Sequence, residues 1–204
     1  KTEFLQRMSH EIRTPINGIC GMLDMADHYA DDMKKQTEYR AKIKGASHLL
    51  LELVNEILDM SKLESDEVVL EESPFNLSSI SREVLVVIGQ IATEQNIRIV
   101  WEKKEITHRH LIGSPGYVKR VMMNILSNAV KYNKENGFIY ISCREIPSEQ
   151  PGMTTMEFVC RDTGIGMPEE FQKYIFEPFA QEPTGSRTKF AGPGLGMPLT
   201  KQLI

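Results

Sequence analysis

The chain has 204 residues, 41% of them hydrophobic, enough for two small domains with real cores and ordinary for a soluble globular protein. Its 24 basic and 28 acidic residues leave a formal charge of -4, which argues against a broad phosphate-backbone surface and so against nucleic acid as a partner. Three widely spaced cysteines (Cys20, Cys143, Cys160), with no CxxC pair and no histidine at ligand spacing, suggest neither a disulfide framework nor a zinc site, and a reducing compartment is the simplest setting.

No run of 18 apolar residues and no signal peptide is visible, so no membrane contact is expected of this stretch itself. Lys1-Thr2-Glu3-Phe4 opens in helical register and Leu199–Ile204 stops in an apolar pattern without a cap, as expected of a fragment.

The first predicted element is a helix to about Tyr29, with Leu5, Met8, Ile12, Ile19, Leu23 and Ala26 at spacings of three, four or seven forming its buried seam. At about 100° per residue, His10 lies nearly opposite that seam and faces solvent. Thr14 and Asn17 project on the same side, and Glu11 sits about a quarter turn away, near enough to reach the ring's edge. Pro15 deletes the hydrogen bond to the carbonyl of Glu11, so a bend is expected beside His10. A neutral imidazole has a free lone pair near neutral pH, and Glu11 can hold the other nitrogen's proton: a nucleophile with its orienting base.

Asp31-Asp32 interrupts the pattern, and a second helix follows with Tyr39, Ile43, Ala46, Leu50, Leu53, Ile57 and Met60 in a strict heptad seam. Leu49, Val54 and Leu58 add apolar surface beyond the stripe. Two antiparallel helices alone bury too little of this, which dimerisation into a four-helix bundle would resolve. His28 and His48 lack the setting of His10 and read as surface residues. Residues 65–74, strongly acidic and ending at Pro74, form the expected linker between a domain at 1–64 and one at 75–204.

Beyond it, Ser78 or Ser79 can cap a helix to about Gln95 whose apolar residues are Ile80, Val84, Leu85, Val87, Ile88 and Ile91. Ile97, Ile99 and Trp101 alternate as in a half-buried strand. Ser114-Pro115 reads as an N-cap followed by proline at the first helical position, opening a helix through Tyr132. Residues 138–143 and 156–161 read as strands, so the fold class is α+β.

Ser9-His10-Glu11-Ile12-Arg13-Thr14-Pro15 closely resembles the phosphoacceptor motif of sensor histidine kinases of two-component systems. A second constellation completes the resemblance. Asn124 and Asn128 lie four apart on one helix face, with Lys131 and Tyr132 a turn further on; Asp162-Thr163-Gly164-Ile165-Gly166 follows a strand; Gly192-Pro193-Gly194-Leu195-Gly196 precedes another helix. As chemistry these suit ATP. Asp162 can accept from an adenine amino group, the glycines let backbone come close, N–H groups around Gly194, Leu195 and Gly196 suit phosphate, and the Asn128 amide oxygen suits Mg2+. Lys131 can neutralise phosphate charge.

The second set is similar to the ATP-binding domain shared by histidine kinases and the gyrase, heat-shock-90 and mismatch-repair ATPases. The resemblance implies an α/β sandwich in which Asp162, Gly164 and Gly166 bind adenine, Asn128 the metal, Lys131 phosphate, and Tyr132 lines the base pocket. Asn124 takes the position of the ATPases' water-activating glutamate, a role its amide cannot fill. Phe176-Glu177-Pro178-Phe179 matches the kinases' phenylalanine motif, and residues 180–191, with Arg187 or Lys189, would cover ATP. The family's last strands are missing, leaving the sandwich C-terminally incomplete. Pro193 and Pro198 depart from the usual second glycine motif, each deleting an N–H.

The function implied is ATP-dependent phosphorylation of His10, transfer to an aspartate of a response-regulator receiver domain, and regulator dephosphorylation through Thr14. The setting implied is a homodimer in the cytoplasmic part of a larger sensor of a kind that can be membrane-anchored. A nucleotide-binding scaffold with weak transfer rests only on the two prolines, and a gyrase-type DNA-linked ATPase is opposed by Asn124 and by the helix of His10.

Overall fold

The computed structural model of the protein describes residues 2–64, 71–180 and 194–204. In chain order the elements are α1 (Thr2–His28), α2 (Met33–Glu64), β1 (Ser73–Asn76), α3 (Leu77–Glu94), β2 (Arg98–Glu105), β3 (His110–Gly113), α4 (Pro115–Lys131), β4 (Phe138–Pro147), β5 (Thr154–Asp162), α5 (Glu169–Gln172) and α6 (Gly196–Leu203). They gather into two compact units, Lys1–Val68 with Tyr174–Gln202, and Val69–Lys173 with Leu203–Ile204. Residues 65–70 of the expected linker lie outside the described residues.

In the first unit, α1 and α2 form a helical hairpin, and α1 runs through Pro15 without a break. The four-residue turn is closed by side chains. Asp32 Oδ1 accepts the N–H groups of Lys34 (3.1 Å) and Lys35 (3.0 Å), capping α2, and Gln36 Nε2 donates back to the carbonyls of Ala26 and Tyr29. On α2 the heptad seam turns inward, with Leu53, Ile57 and Met60 buried and Tyr39, Ile43, Ala46 and Leu50 half-buried. On α1 the inward residues are Met8, Ile12, Pro15, Ile19, Met22 and Ala26, whereas Leu23 is 48% exposed. The sequence reading put Leu23 in the seam; the observed steps alternate four and three, and Met22 keeps that period where Leu23 falls a residue, about 100°, to the side. The side chain of Leu5 is outside the described set.

In the second unit, β2, β4 and β5 make a three-stranded sheet in the order β2-β4-β5, β2 parallel to β4 (Arg98 opposite Phe138) and β5 antiparallel to it (Cys160 opposite Ile141). Ile139, Ile141 and Cys143 alternate inward along β4, and Ile139 and Ile141 join Val84 and Ile88 of α3 and Leu126 and Val130 of α4 in one apolar core. The strands β1 and β3, a separate antiparallel pair, and the short α5 were not anticipated. The α3 cap is Asn76 rather than either serine: its extended backbone lets Oδ1 accept from Ser78 N (2.9 Å) and Ser79 N (3.2 Å), so the serines fall inside the first turn. Ser114 is the N-cap of α4 as expected, but its hydroxyl donates to the carbonyl of Glu71 instead of capping. Among the described residues no helix is long and apolar enough to cross a membrane.

Candidate functional site

His10 stands on the outer face of α1 with its side chain 78% exposed. Its Nδ1 lies 3.8 Å from Glu11 Oε1, beyond hydrogen-bond length but within ion-pair reach, so the carboxylate acts on that nitrogen by charge. Thr14, one turn on, donates its hydroxyl to the His10 carbonyl at 3.1 Å. That uses its one donor and leaves both acceptor lone pairs open. Arg7, His10, Glu11 and Phe179 together line a hollow of about 250 Å3.

The second unit brings Asn124, Asn128, Lys131, Tyr132, Asp162, Gly164 and Gly166 toward one end of α4. Asn124 and Asn128 are half-buried one turn apart, Lys131 closes the helix with Nζ 4.7 Å from the Tyr132 ring, and Tyr132 is the C-cap, its N–H on the Asn128 carbonyl at 3.0 Å. Asp162 ends β5, exposed, and one of its oxygens accepts the Gly164 N–H at 2.8 Å, leaving the other for a ligand. Ile165 N–H then bonds the carbonyl of Tyr132 at 3.1 Å, docking the turn on the end of α4. Gly164 is required there, because a Cβ would stand 2.2 Å from that carbonyl oxygen. Gly166 has open space around it and φ +71, so it answers a backbone requirement instead.

Two residues missed in the sequence hold this turn. Thr163 Oγ1 accepts from Phe138 N–H (2.9 Å), and Asn133 Nδ2 donates to the Phe138 carbonyl (3.1 Å), tying the start of β4 to the turn. The signal was available in Thr163, the polar β-branched residue inside Asp-Thr-Gly. Neighbouring Cys160 is not a reactive thiol: burial, and secondarily the charge of Asp162, push it up to about 11.

Gly194, Leu195 and Gly196 pack within the first unit. Gly194 takes φ +74 and its carbonyl accepts the Phe179 N–H at 3.1 Å; a Cβ there would meet the Ala180 carbonyl at 2.9 Å. Leu195 is fully buried against Leu53 and Ile57, with Met8, Ile12 and Phe179 around them, so only its backbone is available to an anion. Gly196 opens α6, which places Pro198 in the first turn, where a helix has no internal partner for an N–H. The departure from pattern at Pro198 is therefore harmless to the helix. Gly192, Pro193, residues 181–191 and with them Arg187 and Lys189 lie outside the described residues. Phe176 is partly exposed with Lys201 Nζ 5.2 Å from its ring.

The family model of the His Kinase A (phospho-acceptor) domain matches residues 1–66, and that of the histidine kinase-, DNA gyrase B-, and HSP90-like ATPase matches residues 113–204. The chain belongs to the sensor histidine kinases. It is 35% identical over 211 residues to hybrid signal transduction histidine kinase K of Dictyostelium discoideum, the match covering all of this chain and 17% of that protein. Full-length ShkA, solved in complex with AMPPNP, superimposes with a TM-score of 0.67 at 27% identity over 98% of this chain and 40% of its own. ThkA, solved in complex with the response regulator TrrA, gives 0.67 at 27% over 88% and 50%. The histidine kinase spans about a fifth of the length of the curated relatives it matches, 17% and 22% for the first two.

Proposed function

We propose that this histidine kinase binds ATP, takes its γ-phosphoryl group on His10 and passes it to an aspartate of a response-regulator receiver domain. The observation that carries this is the exposed imidazole with one nitrogen facing a carboxylate. Glu11 favours a proton on Nδ1, which leaves the Nε2 lone pair as nucleophile. It forms the bond to the γ-phosphorus while the bond to the β,γ-bridging oxygen breaks, ADP departs, and the Nδ1 proton passes to Glu11. The complexes of ShkA with AMPPNP and of ThkA with TrrA support nucleotide and regulator as the two partners.

In this reading Asp162 uses its open oxygen for the adenine amino group, with Gly164 and Gly166 shaping the turn and Tyr132 beside the base. Lys131 balances phosphate charge, and the backbone N–H groups of Gly194, Leu195 and Gly196, where α6 begins, are of the kind that suits phosphate. Asn128 would hold Mg2+ through its amide oxygen, and the half-buried side chain fits an ion that takes few protein ligands. The metal supplies charge neutralisation at the phosphates. Asn124, with no carboxylate, favours transfer to His10 over hydrolysis.

Residues 1–64 then form the phosphotransfer domain, 65–74 the linker and 75–204 the nucleotide domain. Ile16 and Leu23 on α1, with Leu51, Val54 and Leu58 on α2, are exposed at steps of three, four and seven, a second seam suited to a homodimeric four-helix bundle. Sedimentation equilibrium giving a monomer at all concentrations would remove that part. Three free cysteines agree with a cytoplasmic setting. The test of the function is incubation with γ-labelled ATP: label on the chain that is acid-labile and alkali-stable supports phosphohistidine, and alkali-labile label or none rejects it.

A further inference from the structure

One charged wall of the hollow beside His10 has no role in the chemistry above. Arg7 precedes His10 by three residues, so on α1 the two side chains leave the same face one turn apart, and both line the hollow with Glu11 and Phe179. A phosphoryl group on Nε2 brings up to about two negative charges there. Glu11, 3.8 Å from the ring, repels that charge, and among the described residues lining this hollow Arg7 is the one cation. A guanidinium offers five N–H donors in a fork that matches phosphate oxygens two at a time, so a contact in the resting state still leaves donors for a phosphoryl group. Phe179 lines another side of the hollow.

We infer that Arg7 is a positioning residue of the phosphorylated state, its guanidinium gripping the phosphoryl group on His10 and offsetting the repulsion of Glu11. This rests on His10 being the acceptor. Arg7 favours the fully ionised phosphoryl group and so lowers its second pKa; removing the cation raises it.

Phosphoramidate phosphorylates histidine without ATP, so the chain can be loaded chemically and the 31P resonance of His10 identified as the one missing from His10→Gln. Titrating that resonance in the wild type, Arg7→Gln and Arg7→Lys should show the midpoint rising by about half a pH unit or more in the glutamine variant and staying near wild type in the lysine variant. A second arm adds ADP to chain labelled by ATP, and Arg7→Gln should return its phosphoryl group to ADP at least about threefold faster. Equal midpoints in the wild type and Arg7→Gln overturn the inference. A shifted midpoint in a chain that ATP cannot label would keep Arg7's role and reject the kinase reading instead. Should Arg7→Gln lose its helical circular dichroism, Arg7→Met tested for the same shift decides.

Discussion

Gly164→Ala should cripple nucleotide binding by displacing the turn that carries Asp162. The added Cβ would stand 2.2 Å from the Tyr132 carbonyl oxygen and 2.8 Å from Asp162 Oδ1, where ordinary contacts begin near 3.4 Å. The turn must therefore retreat by an ångström or more. That breaks the 3.1 Å bond from Ile165 N–H to Tyr132, worth about 0.5–1.5 kcal/mol net, and forces an overpacked contact of about 1–3 kcal/mol. If binding must restore the native turn, the sum of about 1.5–4.5 kcal/mol weakens affinity by about 10-fold to 2,000-fold. Gly166→Ala is the control. It meets nothing within 4 Å and carries only the strain of φ +71, about 1–2 kcal/mol. Calorimetric titration with a non-hydrolysable ATP analogue, alongside thermal unfolding, separates lost affinity from lost fold. Wild-type affinity in Gly164→Ala, or a greater loss in Gly166→Ala, would refute the reasoning.

Asp162→Asn replaces an acceptor-only carboxylate by an amide and should weaken the same titration by about tenfold or more, while the fold persists; unchanged affinity would move the base elsewhere. Thr14→Ala should still label from ATP, since the imidazole is the nucleophile, but should dephosphorylate a regulator more slowly, because the Thr14 oxygen keeps its acceptor sites for a water; equal rates leave Thr14 a helix residue bonded to the His10 carbonyl. Glu145 is lowered to about 2 by His108 first, whose Nδ1 lies 2.6 Å away, and by the N–H groups of His108 and Thr107. A carboxylate depressed in the folded state stabilises above its usual value of 4.5 and loses that contribution as pH falls toward 2. The melting-point gap between the wild type and Glu145→Gln should thus be steady above about pH 4.5 and close toward pH 2; a gap independent of pH would mean the carboxylate's charge is irrelevant.

The hairpin, the exposure of His10 and the strands flanking Asp162 were legible because each is written in local periodicity. The errors sit where local signals tie. Met22 and Leu23 are both apolar and adjacent, and a 3.6-residue period tolerates either, whereas the observed heptad admits only Met22. Asn76, Ser78 and Ser79 are all good caps, and the choice fell to the residue that ends β1. The pair of β1 and β3 joins Ser73 to Gly113, so four residues on each side carry too little alternation to announce a strand. At the site, the glycines of Asp-Thr-Gly-Ile-Gly were visible as a motif, but the reason for Gly164 lies in the carbonyl of Tyr132, 32 positions earlier and beyond any local pattern. The burial of Leu195 against Leu53 and Ile57 is non-local in the same way.

The central claim is that His10 receives the phosphoryl group. His10→Gln removes the ring nitrogens and leaves Asn128, Tyr132 and Asp162 in place, so the variant should bind an ATP analogue as the wild type does. Exposed to γ-labelled ATP, it should carry no acid-labile label; label retained at the wild-type level would contradict the account.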